Sequence, residues 1–249
     1  MKLRLTLFGL GICGLVALYG TVIAHMPGPG KMHSPYSRAI NKLCVPQRHV
    51  TDAVTAVNFD YRGFDTLGEE FILFASVMGT LVLLREAAEN KGPLSGDSAS
   101  EPRNVRPTEA VRVTALALVG PTVVFGVYVV THGQLTPGGG FQGGVVLATA
   151  PLLVYLADDF KTFKRITSHA LIEISEAVGG GMYAVIGAIA LVLSRPYMTN
   201  VLPLAQSGGI ASGGIIPLIS IATGLEVAAG FVLLLYAFLQ KTLAERESS

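Results

Sequence analysis

The chain has 249 residues, 51% of them hydrophobic and only 14% charged, with a mean hydropathy of +0.55. A soluble domain is usually about a quarter charged, and a chain of this size has too much surface to hide that deficit in a core, so the composition excludes a soluble globular protein. The formal net charge of +1 leaves no global basic footprint for nucleic acid.

Six apolar stretches come close to the ~20 residues that a helix needs to cross the hydrocarbon core. They run from about Leu5 to Ala24, Leu67 to Leu84, Val111 to Val130, Phe141 to Ala157, Ala170 to Leu193 and Gly214 to Leu239. The predicted fold is therefore an all-α integral membrane protein with about six transmembrane helices. The first stretch has two readings. Lys2 and Arg4 precede it and Val22-Ile23-Ala24 resembles a cleavage site, so a removed signal peptide would look similar. A retained helix is preferred, because the run is long for a signal and the rest of the chain is itself apolar.

Between the first two stretches, Val50, Ala53, Val54 and Val57 fall at i, i+3, i+4 and i+7. That spacing predicts a short helix along the membrane face over Val50–Phe59. The connection from Glu86 to Glu109 is rich in Gly, Pro, Ser, Asn and charge, the composition of a flexible linker. It divides the chain into a two-helix region (1–86), a linker (87–108), a four-helix domain (109–240) and a tail (241–249).

Lys and Arg mark the cytoplasmic ends of membrane helices. Arg85, Lys91, Arg103, Arg106 and Arg112 mark the second connection, and Lys161, Lys164 and Arg165 the fourth. The hairpin after the third stretch has neither residue type, and the loop before the sixth has only Arg195. With Lys2, Arg4, Lys241 and Arg246, this predicts a multi-pass protein of a prokaryotic cell membrane with both termini cytoplasmic. One segment disagrees: residues 25–62 fall outside, yet carry Lys31, Arg38, Lys42, Arg48 and Arg62.

That hairpin, Thr131-His-Gly-Gln-Leu-Thr-Pro-Gly-Gly-Gly-Phe-Gln-Gly-Gly, is a polar, glycine-dense piece between two apolar runs. Irregular backbone at membrane depth is tolerated only where protein buries it or it lines a water-filled cavity. Gly138 to Gly143 formally match G-x-G-x-x-G, but the flanks are transmembrane-like rather than a βαβ unit, so a dinucleotide site is rejected. The structural reading assigns a tight turn to His132, Pro137, Gly138, Gly139, Gly140, Phe141 and Gln142, with Gly143 and Gly144 letting another backbone approach closely. The functional reading has His132, Thr136 and Gln142 offering polar groups to water or ions at the outer face.

Ionisable residues within the spans are the better functional lead, because they are expensive in lipid and face partners or water. Glu226 lies near the middle of the sixth span, with no basic residue in that span. An interhelical hydrogen bond and a part in ion or proton movement are both open for it. Glu173 and Glu176, at i and i+3, share a face in the first turns of the fifth span, where the helix dipole by itself accounts for acid. Asp65, Glu69 and Glu70 open the second span; Asp65 and Glu69, at i and i+4, form a shallow cation-attracting rim, with Arg62 near enough to pair with Asp65. No Cys/His cluster suggests a metal, and no arrangement suggests a cofactor or a catalytic triad.

The hairpin strongly resembles the signature of the B subunit of Mrp-type (Mnh-type) multisubunit sodium/proton antiporters. Asn200-Val-Leu-Pro-Leu, Ser212-Gly-Gly-Ile-Ile-Pro-Leu and Gly224-Leu-Glu-Val-Ala-Ala-Gly are similar to that family's last loop and helix, in the same order. Val57-Asn-Phe-Asp-Tyr-Arg-Gly-Phe-Asp-Thr-Leu-Gly-Glu is similar to the C-terminal end of the A subunit, or to the equivalent small subunit of membrane-bound hydrogenases. The resemblance implies an A-subunit tail joined to a whole B subunit, in a complex that exchanges Na+ for H+. It also implies large A/D-type and small C/E/F/G-type subunits as partners, and a transporter subunit rather than an enzyme. Two rival readings are a component of a hydrogenase or related respiratory complex, and a structural scaffold without ion contact.

Overall fold

The computed structural model describes residues 2–26, 34–89 and 107–247. Lys31, His33, Lys91, Arg103, Arg106 and most of the sequence-defined linker lie outside the described residues. The described residues fall into two compact units divided after Ile40.

The first unit holds α1 (Lys2–His25) and the start of α2 (Pro35–Arg48). α1 is apolar around its whole circumference and is capped at its C-terminal end by the His25 ring, whose Nδ1 lies 2.8 Å from Thr21 O.

The second unit begins within α2. It continues through α3 (Ala53–Ala56), a π-helical turn (Val57–Tyr61) and the long α4 (Gly63–Glu89). The short helix expected over Val50–Phe59 is thus a single α-turn passing into π-helix. Asp52 caps it by accepting from Thr55 N at 2.8 Å. Then follow α5 (Glu109–Thr131), α6 (Gly140–Ala157), α7 (Phe160–Ile166), α8 (His169–Val192) and α9 (Ile216–Glu247). α2 and α7 had no counterpart among the expected elements: both are polar and short, so neither produces an apolar run. Among the described residues, six helices are long and apolar enough to cross a membrane: α1, α4, α5, α6, α8 and α9.

α9 is the hub. Its apolar window is 61% buried against 17% for those of α4 and α5, and α4, α6 and α8 pack around it. The close approaches are made by glycine. A Cβ on Gly140 of α6 would stand 2.6 Å from Thr223 Cβ and 2.8 Å from Gly224 N; one on Gly144 would stand 2.9 Å from Gly224 O. Gly179 of α8 meets the α9 backbone in the same way, 2.6 Å from Glu226 N. Van der Waals packing through small residues is how helices associate where no hydrophobic force separates helix from lipid.

One end of the bundle gathers the 132–139 hairpin, residues 49–62 and the 193–215 loop. Gln134 is fully buried there; its carbonyl accepts from Thr51 N and Asp52 N, and its Nε2 donates to Ile210 O. Ser220 Oγ donates to Val130 O at 2.7 Å and Gly139 N to Val129 O at 3.1 Å. These bonds satisfy carbonyls that the C-terminus of α5 leaves without helical partners. Asp60 pairs with Arg48 Nε at 2.7 Å and accepts from Asn200 Nδ2 at 2.7 Å, while Asn200 Oδ1 accepts from Ile215 N at 3.1 Å. At the opposite end an aromatic cluster of Phe160, Phe163 and Tyr236 seats α7 against α9.

Candidate functional site

Buried stripes bring carboxylates onto one seam. On α4 the buried positions are Gly63, Thr66, Leu67, Glu70 and Val77, the helical spacing of one face. On α8 they are Glu176, Gly179, Gly180, Tyr183, Ile186, Gly187 and Ala190. Glu70 and Val77 of the first stripe and Glu176, Gly179 and Gly180 of the second meet α9, where Glu226 is buried, while Gly63 and Gly187 meet Met198 of the 193–215 loop. Glu70, Glu176 and Glu226 are each 1% exposed.

Glu226 turns its carboxylate onto Gly180: a Cβ there would lie 3.0 Å from Oε2 and 3.3 Å from Oε1. Glu70 faces Glu226 and Thr223. Glu176 interacts with Glu226 and lays its Oε1 over Gly230, one turn further along α9. None of the six carboxylate oxygens, nor Thr223 Oγ1, has a hydrogen-bond partner of good geometry. No Lys or Arg occurs in α4, α8 or α9 between Gly63 and Leu84, His169 and Val192, or Ile216 and Gln240.

At 1.5 Å per residue, Glu70 lies about 10 Å in from the hairpin end of α4. Glu176 lies about 10 Å in from the start of α8 at the opposite end. The Glu226 carboxylate, level with Gly180, lies about 16 Å along α8 and so between them. The three acids therefore step across the bundle. An uncompensated charge in apolar surroundings is costly, whereas a carboxyl that carries a proton or meets a cation is not. The arrangement can thus take up and release protons or small cations, and no nucleophile or base–orienter pair accompanies it.

The other expected residues lie apart. Asp65 is exposed and accepts from Arg62 Nε at 2.6 Å, as their spacing suggested. Glu173 is exposed and lies 3.3 Å from the His169 ring. Glu69 is exposed at the mouth of a cavity that Glu70 also lines. In the hairpin, His132 stacks on Tyr128 at 4.2 Å between centroids, and Pro137 and Phe141 are exposed. Gly138 lines the same cavity, and Gly139 adopts φ +120°, a conformation open chiefly to glycine. Gln142 also lines that cavity and turns its Oε1 back over Gly139. Gly140, Gly143 and Gly144 are already inside α6, buried against α5 and α9. The sequence places Glu70 among the acids that open the second span but gives it no part in the Asp65–Glu69 rim or the ion route. Its signal was its place at i+4 from Thr66 and i+7 from Gly63, the stripe that turns inward.

Residues 110–233 match the model of a family described as the domain related to the MnhB subunit of Na+/H+ antiporter. This chain is an MnhB-like membrane subunit. Glu176 and Glu226 lie within the MnhB domain and Glu70 outside it. An uncharacterized protein of Methanocaldococcus jannaschii is 29% identical over 215 residues, 80% of each chain. The B subunit of the Na+/H+ antiporter of Alkalihalophilus pseudofirmus is 32% identical over 80 residues, which is 31% of this chain and 54% of that one. Among solved structures, a chain of the membrane-bound sulfane sulfur reductase, an archaeal respiratory membrane complex, superposes with a TM-score of 0.69 at 28% identity. It covers 95% of this chain and 98% of its own. A chain of the Mrp complex from a Dietzia species shares the fold of this MnhB-like subunit, with a TM-score of 0.71 at 18% identity, over 94% of this chain but 26% of that one.

Proposed function

We propose that this MnhB-like chain is a membrane subunit of a multisubunit Na+/H+ antiporter, supporting assembly of the complex and ion translocation through it. The observation that carries this reading is the line Glu70–Glu226–Glu176: three carboxylates, from three helices, buried with no Lys or Arg over residues 63–84, 169–192 and 216–240. Intramembrane acids of this kind mark ion pathways and proton relays. The partners are the other antiporter subunits, and Na+ and H+ are the ions of the whole complex. The chain is a transporter subunit, not an enzyme. The bundle end bearing Lys161, Lys164 and Arg165 is assigned to the cytoplasm of a prokaryotic cell, and Lys2, Arg4, Lys241 and Arg246 assign both termini to the same compartment. Residues 1–86 are read as the A-subunit-like part and 109–240 as the B-subunit-like part.

The test is Na+-dependent proton movement in everted vesicles carrying the native complex with Glu226→Gln or Glu176→Gln. The expected result is at least a tenfold loss of antiport with the complex intact. Unchanged antiport with normal assembly would remove these acids from the route and leave a scaffold.

A second reading is favoured by one observation: the match to a respiratory-complex chain runs through nearly the full length of both chains. In that reading the same polypeptide is part of the ion-translocating arm of a redox-driven complex. Mass spectrometry of what co-purifies in mild detergent separates the two, since iron–sulfur subunits accompany only the second.

A further inference from the structure

At the hairpin end, the π-helical turn, α4, the start of α6 and α9 enclose a cavity of about 210 Å³. Its inner wall is Thr55, Phe59, Thr66, Glu70 and Thr223, and its rim includes Asn58, Glu69 and Gln142. Two of the wall residues are buried polar groups left over by the fold. Glu70 is 1% and Thr223 0% exposed, and neither the Glu70 oxygens nor Thr223 Oγ1 has a hydrogen-bond partner of good geometry. Buried polar atoms without partners call for a ligand, water or ion.

The chemistry of the lining narrows the choice. No Lys, Arg or His lines the cavity, so an anion has nothing to bind. The donors are carboxylate, hydroxyl and amide oxygens, which suit hard cations. A liquid water occupies about 30 Å³, so the volume admits a cation that still carries several waters. Only one lining carboxylate, Glu70, is buried; a monovalent cation neutralises it, whereas a divalent one leaves excess charge in apolar surroundings.

We propose that this cavity is a loading site for a small monovalent alkali cation of the Na+ class. Glu70, Thr223 and Gln142 supply oxygens to the cation, and the exposed Glu69 attracts it to the mouth. The inference rests on the ion-route reading above and gives the cation its point of entry. Because Glu70 faces Glu226, the acid line can deliver the exchanging proton. A proton reaching Glu70 from the Glu226 side neutralises its carboxylate, one monovalent cation leaves, and Glu226 takes a replacement proton from the Glu176 end, so no buried carboxylate is left uncompensated.

The experiment measures the half-saturating Na+ concentration and the maximal rate of Na+-dependent proton movement in vesicles holding the whole complex. Thr223→Val keeps the shape and removes one oxygen; Gln142→Leu does the same at the rim. Each is expected to raise half-saturation about tenfold with the maximal rate retained, while Glu69→Gln gives a smaller rise that high ionic strength abolishes. Glu70→Gln is expected to abolish Na+ dependence. If that variant does not assemble, the Thr223 and Gln142 variants decide. Unchanged half-saturation in both overturns the cation site, as does Ca2+ competing better than Na+. Loss of maximal rate in Glu226→Gln alongside unchanged Thr223→Val keeps the ion route and rejects the site; no effect in either rejects both.

Discussion

Glu69 and Glu70 are neighbours in sequence with opposite surroundings. Successive helical residues are turned by about 100°, so one faces outward at a cavity mouth and the other faces Glu226. Gly179 and Gly180 divide in a similar way. A methyl on Gly179 meets α9 backbone, 2.6 Å from Glu226 N and 2.8 Å from Ala222 O. On Gly180 its three nearest atoms are the Glu226 carboxylate end, at 3.0 to 3.3 Å. Gly179→Ala is therefore expected to force α8 from α9 and destabilise by about 1–3 kcal/mol, read as a lower melting temperature of the complex in detergent. Gly180→Ala is expected to leave melting nearly unchanged and to slow ion movement, because the carboxylate can turn aside. Equal melting loss in the two variants would contradict the geometry.

At the scale of elements, the 193–215 loop is held by side chains rather than by secondary structure. Asn200 bonds Asp60, Gly213 O and Ile215 N, and Asp60 pairs with Arg48. Asn200→Ala leaves the buried Ile215 N without a partner, at about 1–3 kcal/mol, while Asp60 keeps Arg48 and Gly213 O keeps Ile216 N; it is expected to open the loop to proteolysis before the helices melt. Tyr197 in the same loop donates to Ala184 O at 3.1 Å, and burial pushes its phenol above the usual tyrosine range. A raised value means the folded state favours the protonated form. Its contribution is full below the ordinary value and fades as pH rises through the folded one. Tyr197→Phe is accordingly expected to flatten the alkaline limb of the stability profile, followed by circular dichroism.

Across the whole molecule, one bundle end carries the hairpin and the 193–215 loop, and the other carries α7 with Lys161, Lys164 and Arg165. Cysteines placed at Ser207 and at Lys161 are therefore expected to react with an impermeant maleimide from opposite sides of the membrane; labelling from one side would break the proposed topology. The fold also accounts for part of the charge excess at the hairpin end. Arg48 and Arg62 are paired with Asp60 and Asp65, so neither is a free cation that opposes the charge bias.

The sequence by itself determined the six spans, the hairpin between α5 and α6, and the presence of acids within the spans. The physical reason is that a bilayer demands about 20 apolar residues per crossing and makes any polar exception conspicuous. The small residues of α8, Gly179, Gly180, Gly187 and Ala190, are at helical spacing in the sequence too, but only their burial in the structure marks them as a stripe. Only the tertiary structure decided which acids meet. α4 and α9 are apolar on nearly every face, so no hydrophobic period tells the inward side from the lipid side. The dipole argument for paired acids at a helix start suits Glu173, which stays exposed beside His169, but not Glu176, which turns onto Gly230. Glu70, Glu176 and Glu226 are 50 to 156 residues apart in sequence, and glycine-mediated packing against α9, not any local pattern, brings them onto one seam.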